Sequence, residues 1–154
     1  MIVNHARMAA VSAAALAALA LAGCGGPLIL EFRGADRLNL NDKDECVPVE
    51  VRVFLLKDKG SFAKASFEQL WGQKYKEVLG TDVVGEPKPI TIFASKATPL
   101  NLGELPKEVR FIGVMAMYQR KADEGVKRHV VVDRDEAGSQ IFELIEYRLE
   151  LKKK

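Results

Sequence analysis

Residues 49–56 read Val-Glu-Val-Arg-Val-Phe-Leu-Leu, and the first half of that run places a valine at every second position. A period of two puts Val49, Val51, Val53 and Leu55 on one face of an extended strand and Glu50 and Arg52 on the other. Other stretches repeat the idea. Val109 to Tyr118 is almost unbroken apolar sequence around Gly113, as expected of a strand covered on both faces. His129 to Val132 is a valine-rich run, and Leu28 to Arg33, Pro89 to Ala94 and Thr98 to Leu102 are shorter candidates. Pro89 and Pro99 have no N–H to give a ladder, so they suit strand starts or edges. Near the end Ile145, Tyr147, Leu149 and Leu151 alternate with Glu146, Arg148 and Glu150. Ile141, Leu144, Ile145 and Leu149 also fit a helical spacing, but the clean alternation after them favours a strand.

One segment has the other period. Phe67, Leu70, Trp71, Tyr75, Val78 and Leu79 form a helical stripe within about residues 62–79. Ser66 with Gln69 makes a capping box, Gly80 offers a C-terminal stop, and Gly72 either weakens the helix or divides it in two. The stripe is read as core packing, with Trp71 largely buried. Seven to eight strands with one inserted helix favour an all-β sandwich over an α/β sheet. Phe54, Phe93, Phe111 and Phe142 are expected to fill its core. No internal repeat or second domain is visible.

Ahead of these strands lies a basic start with Arg7 and an apolar run from Met8 to Leu21. The run is shorter than the roughly 20 residues that span a bilayer, and reads as the apolar region of a secretory leader. It ends Leu21-Ala22-Gly23-Cys24, which resembles the lipobox of bacterial lipoproteins. That resemblance implies cleavage of residues 1–23, acylation of Cys24, a tether over 24–27 and a folded domain over 28–154. Gly25, in place of an aspartate, points by the same resemblance to the outer membrane. Two or three acyl chains anchor stably where one holds weakly.

The whole chain carries 23 basic and 21 acidic residues, and losing Arg7 with the leader brings the domain closer still to neutrality. Such a domain has no electrostatic reason to seek nucleic acid. The run Lys152-Lys153-Lys154 reads as a solvated tail. With Cys24 acylated, Cys46 has no internal partner; it is read as buried and inert rather than paired with another protein.

Chemistry of the catalytic kind is missing. His5 leaves with the leader, and His129 stands alone without the companions of a zinc site or a triad. Asn41 to Glu45 is rich in oxygen ligands but lacks the glycine and terminal glutamate of a calcium loop, so it reads as a polar surface loop. Asp123/Glu124 and Asp133/Asp135/Glu136, near Gly125 and Gly138, read as turn-forming charges. No cofactor is expected beyond covalent lipid on Cys24, and no enzyme activity. A ligand-binding envelope lipoprotein, enclosing a small apolar molecule, is the alternative to a protein-docking role.

The order of features after Cys24 resembles the TssJ family, the outer-membrane lipoproteins of type VI secretion systems. The matching residues are Val49 to Asp58, Phe67 to Trp71, and Leu105-Pro106 leading into Val109 to Ala116 with Gly113 inside. The resemblance implies a transthyretin-like β-sandwich with an added helix. It also implies docking to the periplasmic C-terminal region of the inner-membrane protein TssM, in a complex that contains TssL. The loop between the first two strands is the docking element that the resemblance implies, here about Ala35 to Pro48. Its length, beyond the usual strand connection of about 4–6 residues, suits a functional loop. Within it Leu38, Asn39, Leu40, Asn41, Asp42, Lys43, Asp44, Glu45 and Cys46 are the candidate contacts, with Leu38 and Leu40 as apolar anchors inside a polar rim.

Overall fold

A computed structural model describes residues 26–120 and 125–154. The leader, Cys24 and the Asp123/Glu124 pair lie outside the described residues. Eight strands form two four-stranded sheets: β1 (Leu28–Leu38), β2 (Val49–Leu56), β3 (Lys88–Ile92), β4 (Ala97–Gly103), β5 (Phe111–Met117), β6 (His129–Asp133), β7 (Gln140–Glu146) and β8 (Arg148–Lys153). One sheet has the order β4-β1-β7-β8 and the other β3-β2-β5-β6. Only the β1–β7 pair is parallel; all other neighbours are antiparallel.

The two sheets close on each other through the residues that alternate inward. Leu30 and Phe32 of β1, Phe142 and Leu144 of β7, and Leu149 of β8 meet Val49, Val51 and Val53 of β2 and Ile112, Val114 and Ala116 of β5. Phe32 and Phe142 stack with ring centroids 5.1 Å apart. This is the all-β sandwich expected of the alternating segments.

The second half of β2 is buried on both faces. Its outward residues Phe54 and Leu56 join Met115 of β5 in a second cluster with Phe62, Leu70, Tyr75 and Leu79. Those last four come from a helical insert between β2 and β3, which caps the lower part of one sheet. The insert is three one-turn helices, α1 (Gly60–Lys64), α2 (Phe67–Trp71) and α3 (Tyr75–Leu79), rather than one continuous helix. The capping box forms as expected: the Ser66 hydroxyl accepts from the Gln69 N–H, and the Gln69 side chain accepts from the Ser66 N–H. Gly72 ends α2 with extended backbone (ψ −173°), and Gly80 ends α3 at φ 52°. The Tyr75 hydroxyl and Lys76 both bond Glu86, fastening α3 to the chain ahead of β3. Those bonds, Lys76 first, hold the Glu86 carboxyl below its usual range.

Several expectations are corrected. Trp71 is half-buried, lying flat on Phe67 (5.4 Å) with the Arg52 guanidinium 3.9 Å above its ring. It seals the edge of the insert rather than the core. Phe93, just past β3, is 47% exposed. The alternating segment at 145–151 is a hairpin: Glu146 takes φ 50°, β8 starts at Arg148, and the inward residues on either side are Phe142, Leu144 and Leu149, while Ile145 faces the other way. A turn inside an alternating run reverses phase without breaking the pattern of the letters. Asp135 and Glu136 lie in a short helix, α4 (Arg134–Ala137), and Asp133, the last residue of β6, is its N-cap. β1 runs on to Leu38, past the expected end at Arg33, and the loop that follows is correspondingly shorter.

Candidate docking site

With β1 extended, the connection between β1 and β2 is residues 39–48, at one end of the sandwich. The two leucines expected to be apolar anchors for a partner are buried: Leu38 is fully buried and packs in the sandwich interior, and Leu40 is 9% exposed. The physical reason is that β1 still pairs at Leu38, which lies opposite Glu146 of β7, so its side chain keeps the inward phase.

Asn39 is the hub. It is 1% exposed and sits in the left-handed region at φ 47°, a conformation asparagine tolerates better than most residues. Its N–H donates to the Glu146 carbonyl at 2.7 Å and its carbonyl accepts from the Val47 N–H at 3.3 Å. Its side-chain oxygen accepts from the Gln119 N–H at 2.8 Å, and its side-chain amide donates to the Pro48 carbonyl at 3.4 Å. One buried side chain thus joins the loop to the segment after β5, while its backbone joins the loop to the β7–β8 turn. Tyr147 adds a second tie, its hydroxyl donating to the Leu40 carbonyl at 2.8 Å. Beneath it Tyr118 meets Tyr147 edge-on, and burial pushes the Tyr118 phenol pKa upward, keeping it neutral.

Beyond Leu40 the chain folds back on itself. Leu40 and Cys46 form a bridge, and the Asn41 side-chain oxygen accepts from the Lys43 and Glu45 N–H groups at 2.9 and 3.0 Å. The Asn41 amide donates to the Glu45 carboxylate at 2.9 Å. Asparagine closing its own turn in this way is what makes the short side chain useful in tight loops. The outcome is a small braced tip, with Asp42, Lys43, Asp44, Glu45 and Cys46 all exposed. Cys46 is therefore exposed, not buried; its thiol points back to the Asp36 carbonyl at 3.1 Å. The side chains of Asn41 and Glu45 bond each other, and no cluster of metal-binding side chains occurs among the described residues.

The neighbouring surface could not be found from strand pattern. A groove of about 420 Å³ runs from the foot of the loop, at Val47 and Pro48, over Glu50, Thr91 and Met117. It is the part of the β3-β2-β5-β6 outer face that the helical insert leaves uncovered, and Met117 is 37% exposed there. The two sheets between them enclose packed aromatic and aliphatic side chains, while the clefts lie at the surface with charged rims.

Two packed sheets, a helical cap on one of them and a braced polar loop at one end define a β-sandwich that carries its loops at the surface. The chain belongs to the T6SS-SciN family, described as type VI secretion lipoprotein, VasD, EvfM, TssJ, VC_A0113, whose family model matches residues 27–153. It is thus a lipoprotein of the type VI secretion envelope machinery. Among solved structures it is similar to a chain of a "Type VI membrane complex", with 25% identity, a TM-score of 0.72, and coverage of 82% of this chain and 98% of that one. It is also similar, at 25% identity and a TM-score of 0.68, to a chain of the structure described as "T6SS protein TssM C-terminal domain (869-1107) from EAEC", covering 81% of this chain and 99% of that one. The lipoprotein TssJ1 of Pseudomonas aeruginosa shares the fold, with 19% identity, a TM-score of 0.70, and coverage of 83% and 95%. No curated protein matches the chain in sequence.

Proposed function

We propose that this protein is acylated on Cys24, is held at the periplasmic face of the outer membrane, and docks the periplasmic C-terminal region of a TssM-like inner-membrane protein, in a complex that also contains TssL. The observation that carries the docking is the braced loop, in which the buried hub Asn39 ties down the base and Asn41 braces an exposed charged tip, Asp42–Cys46. A pre-organised loop loses little entropy when a partner closes on it, so more of its contact energy appears as affinity. The similar chain of the TssM-domain structure adds support. An alignment over 81% of 154 residues accounts for 99% of that chain, which is therefore about half the length of a segment numbered 869–1107. A chain of that length fits a companion of the TssM domain better than the domain itself. The packed interior favours docking over carriage of a small apolar molecule, which needs an apolar cavity of at least about 300 Å³.

Replacing Asp42–Cys46 by an equal number of glycines and serines tests the docking. Asn39 and Leu40 stay, because both hold the fold together. The variant is expected to keep its thermal midpoint within a few degrees while capture by the TssM C-terminal region weakens by at least roughly tenfold. Wild-type capture would move recognition to another face. The anchor has its own test: Cys24→Ser is expected to lose lipid labelling and pass from the membrane fraction to the soluble periplasm. Unchanged fractionation would refute acylation there.

A further inference from the structure

We infer that the end of the sandwich bearing Leu28 is a membrane-contact surface, seated on phospholipid headgroups by a tether too short to let the domain turn over. This rests on the lipid anchor proposed above. Three residues, 25–27, separate the acylated cysteine from β1. The four steps from residue 24 to residue 28 reach at most about 13 Å. Leu28 therefore stays within about 13 Å of the anchored cysteine, at the membrane surface.

The elements around Leu28 fix what touches the lipid. Gly26, Pro27 and Leu28 line one cleft together with Lys107 and Arg110. Lys107 sits in the turn closed by the Val109 N–H to the Pro106 carbonyl at 3.0 Å, and Arg134 pins that turn by donating to the Pro106 carbonyl at 3.1 Å. The last strand arrives at the same end. Lys153 pairs with Gln140, and the Lys154 ammonium donates to the Gly138 carbonyl at 2.8 Å. Leu28 is close to that glycine, since a Cβ there would stand 3.3 Å from Leu28 Cδ1. The lysine run that looks like a solvated tail in sequence is thus placed beside the tether.

Among the described residues, Lys107 and Lys153 are exposed and have no carboxylate within ion-pair distance. The cleft is mixed in sign, with Asp133, Asp135 and Glu136 on its rim and Lys59 4.0 Å from Asp133. The tether therefore supplies the attachment, and the free lysines bias which face meets an anionic leaflet. β1 leads from this end to the docking loop over 11 residues, which at about 3.3 Å each separates the loop from the tethered end by roughly 35 Å.

The test uses the mature acylated protein in vesicles of phosphatidylcholine with phosphatidylglycerol, labelled at Cys46. That thiol is exposed at the loop tip and is the one left once Cys24 is acylated. Quenching by a lipid carrying a nitroxide on its headgroup reports contact between tip and membrane. The wild type is expected to be nearly unquenched. Inserting about 20 glycine and serine residues after Gly25 lets the domain roll, and is expected to raise quenching at least about twofold. The pair Lys107→Glu and Lys153→Glu is expected to raise it less, and only in vesicles containing phosphatidylglycerol. Equal quenching in the wild type and the linker variant overturns the proposal, and a lysine pair without effect overturns the contact surface. Mass spectrometry of residue 24 separates the two readings. A protein without acyl groups that leaves the vesicles sinks the anchor, whereas an acylated protein with a quenched tip sinks only the orientation.

Discussion

Gly34→Ala is expected to destabilise the domain by more than about 3 kcal/mol, the largest effect of a methyl group added at any of the described glycines. A Cβ at Gly34 would lie 2.2 Å from the Phe93 carbonyl oxygen and 3.0 Å from its carbon, with Leu38 Cδ2 at 3.1 Å. The first two atoms are backbone, and that backbone is held in place. The Gly34 N–H donates to the Lys96 carbonyl at 2.9 Å, and Gly34 bridges Ala94, so β1 and the β3–β4 turn are tied where they would have to part. Gly113 is the instructive contrast. Its Cβ would meet Phe62 Cζ at 2.8 Å and Leu56 Cδ1 at 3.0 Å, both side-chain atoms that can give way. Gly113→Ala is expected to cost about 1–3 kcal/mol. Chemical denaturation of the three proteins gives the comparison directly. For Gly34→Ala the thermal midpoint should fall by about 10 °C or more. A Gly34→Ala protein within about 1 kcal/mol of wild type would mean that the β3–β4 turn moves freely, against the bonds that hold it.

Gly34 also marks where sequence reasoning stops. Read as letters, a glycine after Leu28–Arg33 closes a strand. In the fold β1 passes through it, because only a residue without Cβ lets the Phe93 carbonyl approach so closely. The misreading lengthened the docking loop at its front end and turned Leu38 from a core residue into a supposed anchor. Local pattern carried the rest of the sandwich well. The valine alternation of β2, the apolar run of β5 and the Ser66–Gln69 capping box all appear as expected, since each depends on contacts close in sequence or on one face of one strand. Trp71, Phe93 and the β7–β8 hairpin were not legible, because their burial and phase depend on what another element covers. Asn39 was named among the loop residues, yet its role was hidden. Its partners Gln119 and Glu146 lie far along the chain, and the Asn-Leu-Asn-Asp run shows only a polar loop.

Asn39 should therefore separate the stability of the loop from its capacity to bind. Asn39→Ala leaves the Gln119 N–H and the Pro48 carbonyl without their partner at a part-buried site, and forces a Cβ-bearing residue lacking asparagine's local bonds to hold φ 47°. Each orphaned group is open to water on one side and costs about 1 kcal/mol, and the left-handed backbone about 1 more, giving an expected loss of about 3 kcal/mol. Asn39→Gly removes the same hydrogen bonds while relieving the backbone, so it should recover about 1 kcal/mol of that loss. Asn39→Asp keeps an acceptor for Gln119 but loses the donor to Pro48 and buries a charge, and should grow more destabilising as pH rises through its titration. The pH dependence has a definite sign. Burial raises the folded pKa above the unfolded value, so the stability given by the neutral acid is present below the unfolded pKa and lost as pH climbs. All three variants should weaken capture of the TssM C-terminal region even at temperatures where the sandwich remains folded, because the base of the loop that carries the Asp42–Cys46 tip is no longer tied down. Glycine, with its greater freedom, should weaken capture at least as much as alanine despite its better stability. If binding instead follows stability in rank order, the loop acts only as part of the folded scaffold, and recognition belongs to the groove over Thr91 and Met117.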